Sequence, residues 1–289
     1  MKINTDDNYQ GLFASVIRGT VKNVNLVNST IVATGEYVGG IAGVADTGVT
    51  IENCTVDAYI VGSIDVGGIA GLTSGATIKN CVFSGYVEAT SYRVGGIAGS
   101  MWKGAWVLIQ NCCNYGIVKS PVAIGGILGY GGGTDTEGVT IENCISEGSL
   151  IGTQVEFTEM GGIVGVLYTG GTIKNCHSSS QLCSISESER RIGGVLGFGK
   201  ADITNCSYVG GGTSGILPFY GKESTETTVT SCFSVINGQG YYSNGDFAEF
   251  GLCKNINSEL PVQKALYYVA QFGDSVNSTW FAGNNFQKT

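Results

Sequence analysis

The stretch VTIENCTVDA, at residues 49–58, has close copies along the chain: TIKNC at 77–81, TIENC at 140–144 and TIKNC at 172–176. A second stretch, GGIAG at residues 39–43, recurs in phase with it. Its copies begin at Gly39, Gly67, Gly95, Gly125, Gly161 and Gly193, in steps of 28 to 36 residues. A repeat of this length is one small unit that cannot bury a core alone, so successive copies must stack on one another.

Each repeat holds three apolar segments of 4 to 6 residues separated by turns. Segments this short are typical of strands and are too short for helices. Stacked in register, they predict an all-β fold, a right-handed parallel β-helix (β-solenoid) of about eight coils. The paired glycines allow either a positive φ or the close approach of one coil to the next at a corner.

The composition bounds the class of protein. The chain has 289 residues, 43% apolar and 13% charged, with 47 glycines and three prolines. A net charge of −8 argues against nucleic acid as a partner, since phosphate contacts need clustered Lys and Arg. The sequence has no apolar run of 18 residues, so we predict no membrane span. The first ten residues lack the apolar centre of a signal peptide, and we expect the chain to be part of a longer polypeptide.

The pattern divides the chain into an N-terminal lead-in (1–10), β-helix repeats (11–232) and a C-terminal capping region (233–289). Past residue 232 the glycine blocks stop and aromatic residues become frequent. Residues 258–272 predict a short helix that begins after Ser258. The open end of a solenoid exposes strand edges, so an aromatic cap containing this helix is expected there.

The Asn-Cys pair interrupts the alternation of inward and outward side chains. In IENC the Ile points inward and the Glu outward, so strict alternation would bury Asn and expose Cys. Val24 occupies the Cys position of the first copy, which indicates a core position. We therefore predict that Asn forms a left-handed corner and that Cys returns to the core. The predicted structural ladder comprises Asn53, Cys54, Asn80, Cys81, Asn111, Cys112, Asn143, Cys144, Asn175, Cys176, Asn205, Cys206 and Cys232.

Packing competes with three chemical interpretations of the Cys column. Cysteines stacked in register suit the torsion of a disulfide poorly. A metal site would need CxxC pairs or several histidines, and the chain has only His177. A catalytic thiol would need His177 as its base, but that residue follows Cys176 directly and should point the other way. We predict buried, reduced thiols with no metal and no cofactor; Cys113, Cys183 and Cys253 form no recognisable pair.

With both blocks placed, the chain resembles a known family. YVGGIAG from Tyr37 and G-x-TIKNC from Gly170 resemble the GLUG-repeat family, β-solenoid segments of bacterial surface and secreted proteins. These repeats occur in adhesin-like chains and N-terminal to immunoglobulin A-cleaving metallopeptidases. The resemblance covers residues 11–232 and implies a cell-surface or extracellular location and an adhesive or stalk role. It implies no catalysis by this chain, because its single histidine cannot form HExxH.

A binding site is expected where the regular repeat is interrupted. The loops that begin at Ser100, Tyr130 and Val166 lie in consecutive repeats, so we predict that they form one lateral patch. Stacking of sugar rings on its aromatic side chains is one hypothesis. The sequence favours the alternative, in which the two tryptophans fold back and cover the coil edge, because Trp is usually well buried. The predicted ligand-binding residues are Trp102, Trp106, Tyr130, Asp135, Glu137 and Tyr168.

The sequence thus predicts a non-catalytic extracellular adhesion or spacer module whose partner is a host or microbial surface glycan or protein. Two alternatives remain open: a carbohydrate-binding or carbohydrate-cleaving β-helix, and a structural domain of a larger peptidase or adhesin. Cleavage would need two facing carboxylates. The longer turns offer Glu156, Glu159, Glu187 and Glu189, but acids in loops are mostly solvated, so we predict no enzyme.

Overall fold

Three sheets of parallel strands form the sides of a β-solenoid. The computed structural model describes residues 1–102, 105–132, 138–168, 170–187, 189–221, 226–236, 239–243 and 251–252. All regular elements in these ranges are strands, which confirms the predicted all-β parallel solenoid. Within them, no helix has the length and apolar character needed to cross a membrane.

Sheet C has eight strands, one from each successive coil, in chain order. They are β3 (Gly19–Lys22), β7 (Val49–Glu52), β10 (Ala76–Lys79), β14 (Val107–Gln110), β19 (Val139–Glu142), β24 (Gly171–Lys174), β29 (Asp202–Thr204) and β31 (Thr228–Thr230). Equivalent repeat positions pair directly, as Ile51, Ile78 and Ile109 do. The sequence repeat is therefore the structural repeat.

Sheet B has seven strands, and from β6 (Ala42–Ala45) onward each contains the last two residues of a glycine block and the two residues after it. They are β2 (Phe13–Val16), β6 (Ala42–Ala45), β9 (Ala70–Thr73), β13 (Ala98–Met101), β18 (Leu128–Gly131), β23 (Val164–Leu167) and β28 (Leu196–Gly199). Because sheet B has seven strands and sheet C eight, the described residues form about seven complete turns, close to the predicted eight coils.

Sheet A is the longest, with 19 strands, because its face of each coil is divided into short pieces. They are β1 (Lys2–Thr5), β4 (Asn25–Ala33), β5 (Val38–Gly39), β8 (Thr55–Gly67), β11 (Val82–Phe83), β12 (Tyr86–Gly95), β15 (Cys113–Asn114), β16 (Ile117–Ser120), β17 (Ile124–Gly125), β20 (Ile145–Ser146), β21 (Ser149–Gly152), β22 (Phe157–Gly161), β25 (His177–Ser178), β26 (Gln181–Ser184), β27 (Glu189–Gly193), β30 (Ser207–Gly210), β32 (Cys232–Ile236), β33 (Gln239–Ser243) and β34 (Gly251–Leu252).

The two ends of sheet A differ. At the N-terminal end, β1 pairs in parallel with Thr30–Ala33 of β4, so part of the predicted lead-in belongs to the solenoid sheet. At the other end, β32 pairs with β33 and β33 with β34 in antiparallel fashion. These antiparallel strands end the parallel stacking among the described residues. The predicted cap helix at 258–272 lies outside them.

The core is built from columns of identical side chains. One column runs along sheet C and contains Ile51, Ile78, Ile109, Ile141, Ile173 and Ile203, all fully buried. Another contains the apolar residue of each glycine block, as at Ile69 and Ile97. At the corner beside it, a Cβ added to Gly126 would lie 2.1 Å from the carbonyl oxygen of Gly162 in the next coil. Close approach of coils, with no positive φ, therefore explains the second glycine of the block.

A buried polar seam replaces the apolar core in the middle coils, and the sequence argument did not predict it. Asn114 donates from Nδ2 to Oγ of Ser146 at 3.2 Å, and Oγ of Ser146 lies 2.7 Å from Oγ of Ser180. Oδ1 of Asn114 accepts from the backbone N–H of Gly116. These groups satisfy one another inside the solenoid, as buried polar groups must.

Candidate functional site

A column of corner residues lies two positions before each glycine block. Tyr37, Asp65, Arg93 and Ala123 have φ between 57 and 63°, so the left-handed bend falls on them and not on the glycines. The strand register places these positions one above another, and it continues the column through Glu159 and its register partner Arg191. Four charged residues of alternating sign, interrupted at Ala123, thus share one edge of the rod.

The charged corners form two ion pairs between neighbouring coils. Nη1 of Arg191 lies 2.6 Å from Oε1 of Glu159, whereas Nη1 of Arg93 lies 3.4 Å from Oδ1 of Asp65. Burial raises the pKa of Asp65, and the charge of Arg93 and the hydroxyl of Ser100 oppose that rise. Glu159, one of the acids considered for hydrolysis, is thus held by an arginine.

Both arginines also place their guanidinium groups over aromatic rings. The guanidinium carbon of Arg93 is 4.2 Å from the centre of the Tyr130 ring, and that of Arg191 is 4.3 Å from the centre of Phe198. Tyr168 lies between the two rings, with centroid distances of 5.8 Å to Tyr130 and 5.5 Å to Phe198. Cation–π stacking of this kind orients a guanidinium and limits its motion.

Two adjoining depressions follow this edge, and we call them together the aromatic groove. The first has a volume of about 430 Å³ and the second about 560 Å³. Arg93, Tyr130 and Tyr168 line both. The first is otherwise lined by Tyr37, Asp65, Leu72, Ser100, Met101, Trp102 and Gly132, and the second by Tyr92, Val122, Ala123, Phe157, Glu159 and Arg191.

The structure brings together three of the six predicted ligand-binding residues. Trp102, Tyr130 and Tyr168 line the first depression. Trp106 is not among the lining residues of either one, and Asp135 and Glu137 lie outside the described residues. Trp102 is 54% exposed and Trp106 37%, so neither indole ring is buried under a neighbouring coil.

Sequence reasoning missed the charged corners. The fixed offset before the glycine block and the alternating sign of these charges were visible in the repeat, at Asp65, Arg93, Glu159 and Arg191. Comparing that single column across repeats could have found them. The ligand-binding residues predicted from the sequence all lie in the lengthened loops.

The Asn corners form a hydrogen-bonded ladder. Their φ values lie between 51 and 55° from Asn53 to Asn205. Nδ2 of Asn80 donates to Asn53 and Nδ2 of Asn111 to Asn80, both at 3.1 Å. In the later coils, Nδ2 of Asn175 donates to Oδ1 of Asn143 at 3.1 Å, and Nδ2 of Asn205 donates to Oδ1 of Asn175 at 3.4 Å. Between the two segments, Oδ1 of Asn111 is buried without a hydrogen-bond partner among the described residues.

The Cys column lies inside the solenoid as free thiols. Sγ of Cys112 is 3.3 Å from the carbonyl oxygen of Gln110 and 3.7 Å from that of Ile78 one coil away, and its column neighbours repeat this geometry. Burial raises the pKa of the Cys112 and Cys144 thiols. Across the described part of the chain, no three His, Cys, Asp or Glu side chains gather as metal ligands.

The single histidine is buried within sheet A, where Nδ1 of His177 lies 2.8 Å from Oγ of Ser207. Burial lowers the pKa of His177 to about 4. Ser207 is itself only 1% exposed, so a substrate cannot reach this pair in the folded chain. The arrangement packs the sheet and satisfies two polar groups.

Comparison with known proteins gives one structure and no family. No family model matches the chain, and no curated protein matches it. Among solved structures, the chain is similar to one from Bacteroides ovatus described as a putative immunoglobulin A1 protease, with 21% identity and a TM-score of 0.49. The match covers 76% of this chain and 67% of that chain. A similarity this low carries no argument, and the GLUG-repeat resemblance stays a prediction.

Proposed function

We propose that the chain is a non-catalytic adhesion and spacer module of a surface or secreted protein, in which the solenoid supplies length and the aromatic groove supplies attachment. The observation that supports attachment is the groove itself. Exposed rings of Tyr92, Trp102 and Tyr168 surround a concave surface at the edge of an otherwise regular rod. Concave sites with apolar walls and a few polar groups are typical ligand sites.

The outer face of sheet C supports the spacer role. Its charged side chains pair along the rod axis, as Lys79 does with Glu52 at 2.8 Å and Lys174 with Glu142 at 2.5 Å. Pairs like these balance opposite charges along that face, although each contributes only about 1 kcal/mol or less. A rigid rod whose outer face carries balanced charges is better suited to holding other domains apart than to binding a charged partner on that face.

Carbohydrate binding at the aromatic groove is the form of attachment that we favour. Trp102 is 54% exposed and Tyr168 49%, so each presents ring surface on which a sugar can lie. Cleavage has less support, because the carboxylate of Glu159 is already bound by Arg191. If the chain is instead a structural domain of a larger peptidase or adhesin, the groove has no ligand. The glycan-binding experiment described next tests this alternative as well.

A glycan array probed with the purified chain tests the proposal. We expect binding to a subset of glycans and a loss of about tenfold or more in affinity for Trp102→Ala, because exposed aromatic anchors dominate binding energy at such sites. Tyr59→Ala is the matched control, since Tyr59 is 47% exposed on sheet A, away from the groove. Absence of glycan binding, or equal affinity of Trp102→Ala and wild type, would exclude attachment through the groove.

A further inference from the structure

The described residues use only part of the hydrogen-bonding capacity of Arg93. A guanidinium has five N–H donors. Among the described residues, the side chain of Arg93 makes one hydrogen bond, to Asp65, at 3.4 Å. That distance exceeds the about 2.8 Å typical of a charge-assisted bond. The side chain is 37% exposed, so the remaining donors face the groove and solvent.

Tyr130 holds this guanidinium in place. The guanidinium carbon of Arg93 lies 4.2 Å from the centre of the phenol ring, a cation–π contact that limits its motion, and both residues line the two depressions. The donors of Arg93 are therefore oriented before any ligand arrives. An oriented fork of two N–H groups matches the two oxygens of a planar carboxylate.

The surrounding charges limit what kind of anion can bind. Asp65 stands one coil from Arg93, whereas Glu159, two coils away on the other side at about 10 Å, is already paired with Arg191. The chain as a whole has a net charge of −8. A ligand with an acid on every unit would place a further carboxylate beside Asp65 and would be repelled by it and by the net negative charge of the chain. One isolated negative charge next to Arg93 avoids that repulsion.

We infer that the aromatic groove recognises an acidic glycan through a single carboxylate bound by Arg93, with neutral sugars on either side of the acidic one. The sugar rings lie against Trp102 and Tyr168, which the first depression shares with Arg93. The inference rests on the proposed glycan attachment and specifies its ligand class. Sugar stacking supplies affinity that does not depend on charge, and Arg93 supplies the preference for the acid.

Titration calorimetry with two matched oligosaccharides tests the inference. The probes are a hyaluronan hexasaccharide, in which uronic acids alternate with neutral sugars, and the same compound with its carboxyl groups reduced to alcohols. We expect the acidic form to bind about tenfold more tightly, and the difference to shrink as salt rises from about 0.05 to 0.5 M, because salt screens exposed charges.

Variants of Arg93 assign the preference to a residue. Arg93→Gln should bind both probes with the affinity that wild type has for the reduced form, and Arg93→Lys should keep only part of the preference because the fork is lost. Arg18→Gln is the control, since it removes the same charge from an exposed position outside the groove. Thermal unfolding of each variant checks that it is folded. If Arg93→Gln is unstable, Arg93→Lys serves in its place, because it keeps a cation beside Asp65.

The outcomes separate the inference from the proposed function. Equal affinity of wild type for both probes, or failure to bind the acidic one, overturns the inference. If Trp102→Ala still weakens glycan binding in that case, the proposed function stands. Failure of wild type to bind any glycan overturns both. A loss in Arg18→Gln equal to that in Arg93→Gln would show a general charge effect and would also overturn the inference.

Discussion

The side-chain amide of Asn80 donates a 3.1 Å hydrogen bond to Oδ1 of Asn53, one coil away. Asn80 in turn accepts a 3.1 Å bond from Asn111 and has a φ of 54°. One residue type thus does two jobs. It adopts the left-handed corner that ends the sheet C strand, and it links that corner to the coils on both sides.

Substitutions at Asn80 separate these two jobs. Asn80→Gly keeps the left-handed backbone but loses both side-chain bonds, and we expect a loss of about 1–2 kcal/mol in the free energy of unfolding. Asn80→Ala also strains the backbone, so we expect about 2–4 kcal/mol. Urea denaturation followed by circular dichroism measures both. Equal destabilisation by the two variants would show that the backbone conformation contributes little.

The coil architecture could be predicted from the sequence because each position repeats. The Ile of IENC points inward, and Val24 shows that the Cys position is also in the core. The alternation of inward and outward side chains must therefore break at Asn, and in the structure it does so with φ values near 54°. Periodicity averages over many copies, so one ambiguous residue does not change the result.

The aromatic groove could be predicted only in part, because it depends on residues that do not repeat. The lengthened loops indicated Trp102 and Tyr168, and stacking of coils placed them together. Arg93 was missed because its role depends on a ring in the next coil, Tyr130, and on the direction of its side chain at a left-handed corner. Neither can be derived from hydrophobic periodicity.

Thiol reactivity tests the packing of the Cys column. Nine of the ten cysteines lie in the described residues, all nine are free, and only Cys183 is exposed. Under native conditions, we expect Cys183→Ser to have one fewer thiol than wild type that reacts rapidly with Ellman's reagent. At most one rapidly reacting thiol, that of Cys253, should then remain in the variant. In denaturant without reductant, all ten thiols of wild type should react. Fewer reactive thiols in denaturant would reveal oxidised cysteines and contradict the packed, reduced column.

Acid should destabilise the protein through His177. Burial lowers its pKa in the folded chain to about 4, below the ordinary value of about 6.5. The folded state therefore binds fewer protons than the unfolded state between these values. Its contribution to stability is complete above pH 6.5 and falls as the pH drops toward 4. By pH 4 we expect a loss of about 3 kcal/mol from this residue.

The variant His177→Gln isolates that contribution from the acidic residues. Its own stability at neutral pH will be lower, but the stability difference between wild type and variant should narrow by about 3 kcal/mol from pH 7 to pH 4. Denaturation curves at four pH values measure this difference. A constant difference would mean that His177 keeps an ordinary pKa and is not buried as described.

The second glycine of the block should tolerate no side chain. A Cβ at Gly126 would lie 2.1 Å from the backbone oxygen of Gly162 and 2.1 Å from Oγ of Ser146. The first contact is with a neighbouring coil that is itself bonded on both sides, so it cannot move away. We expect Gly126→Ala to cost about 3 kcal/mol or more in the free energy of unfolding.

Gly138→Ala is the matched control, because Gly138 is exposed and an added Cβ there meets no atom within 4 Å. That variant should unfold within about 0.5 kcal/mol of wild type. Similar stability of the two variants would contradict the close packing of adjacent coils at the glycine corner.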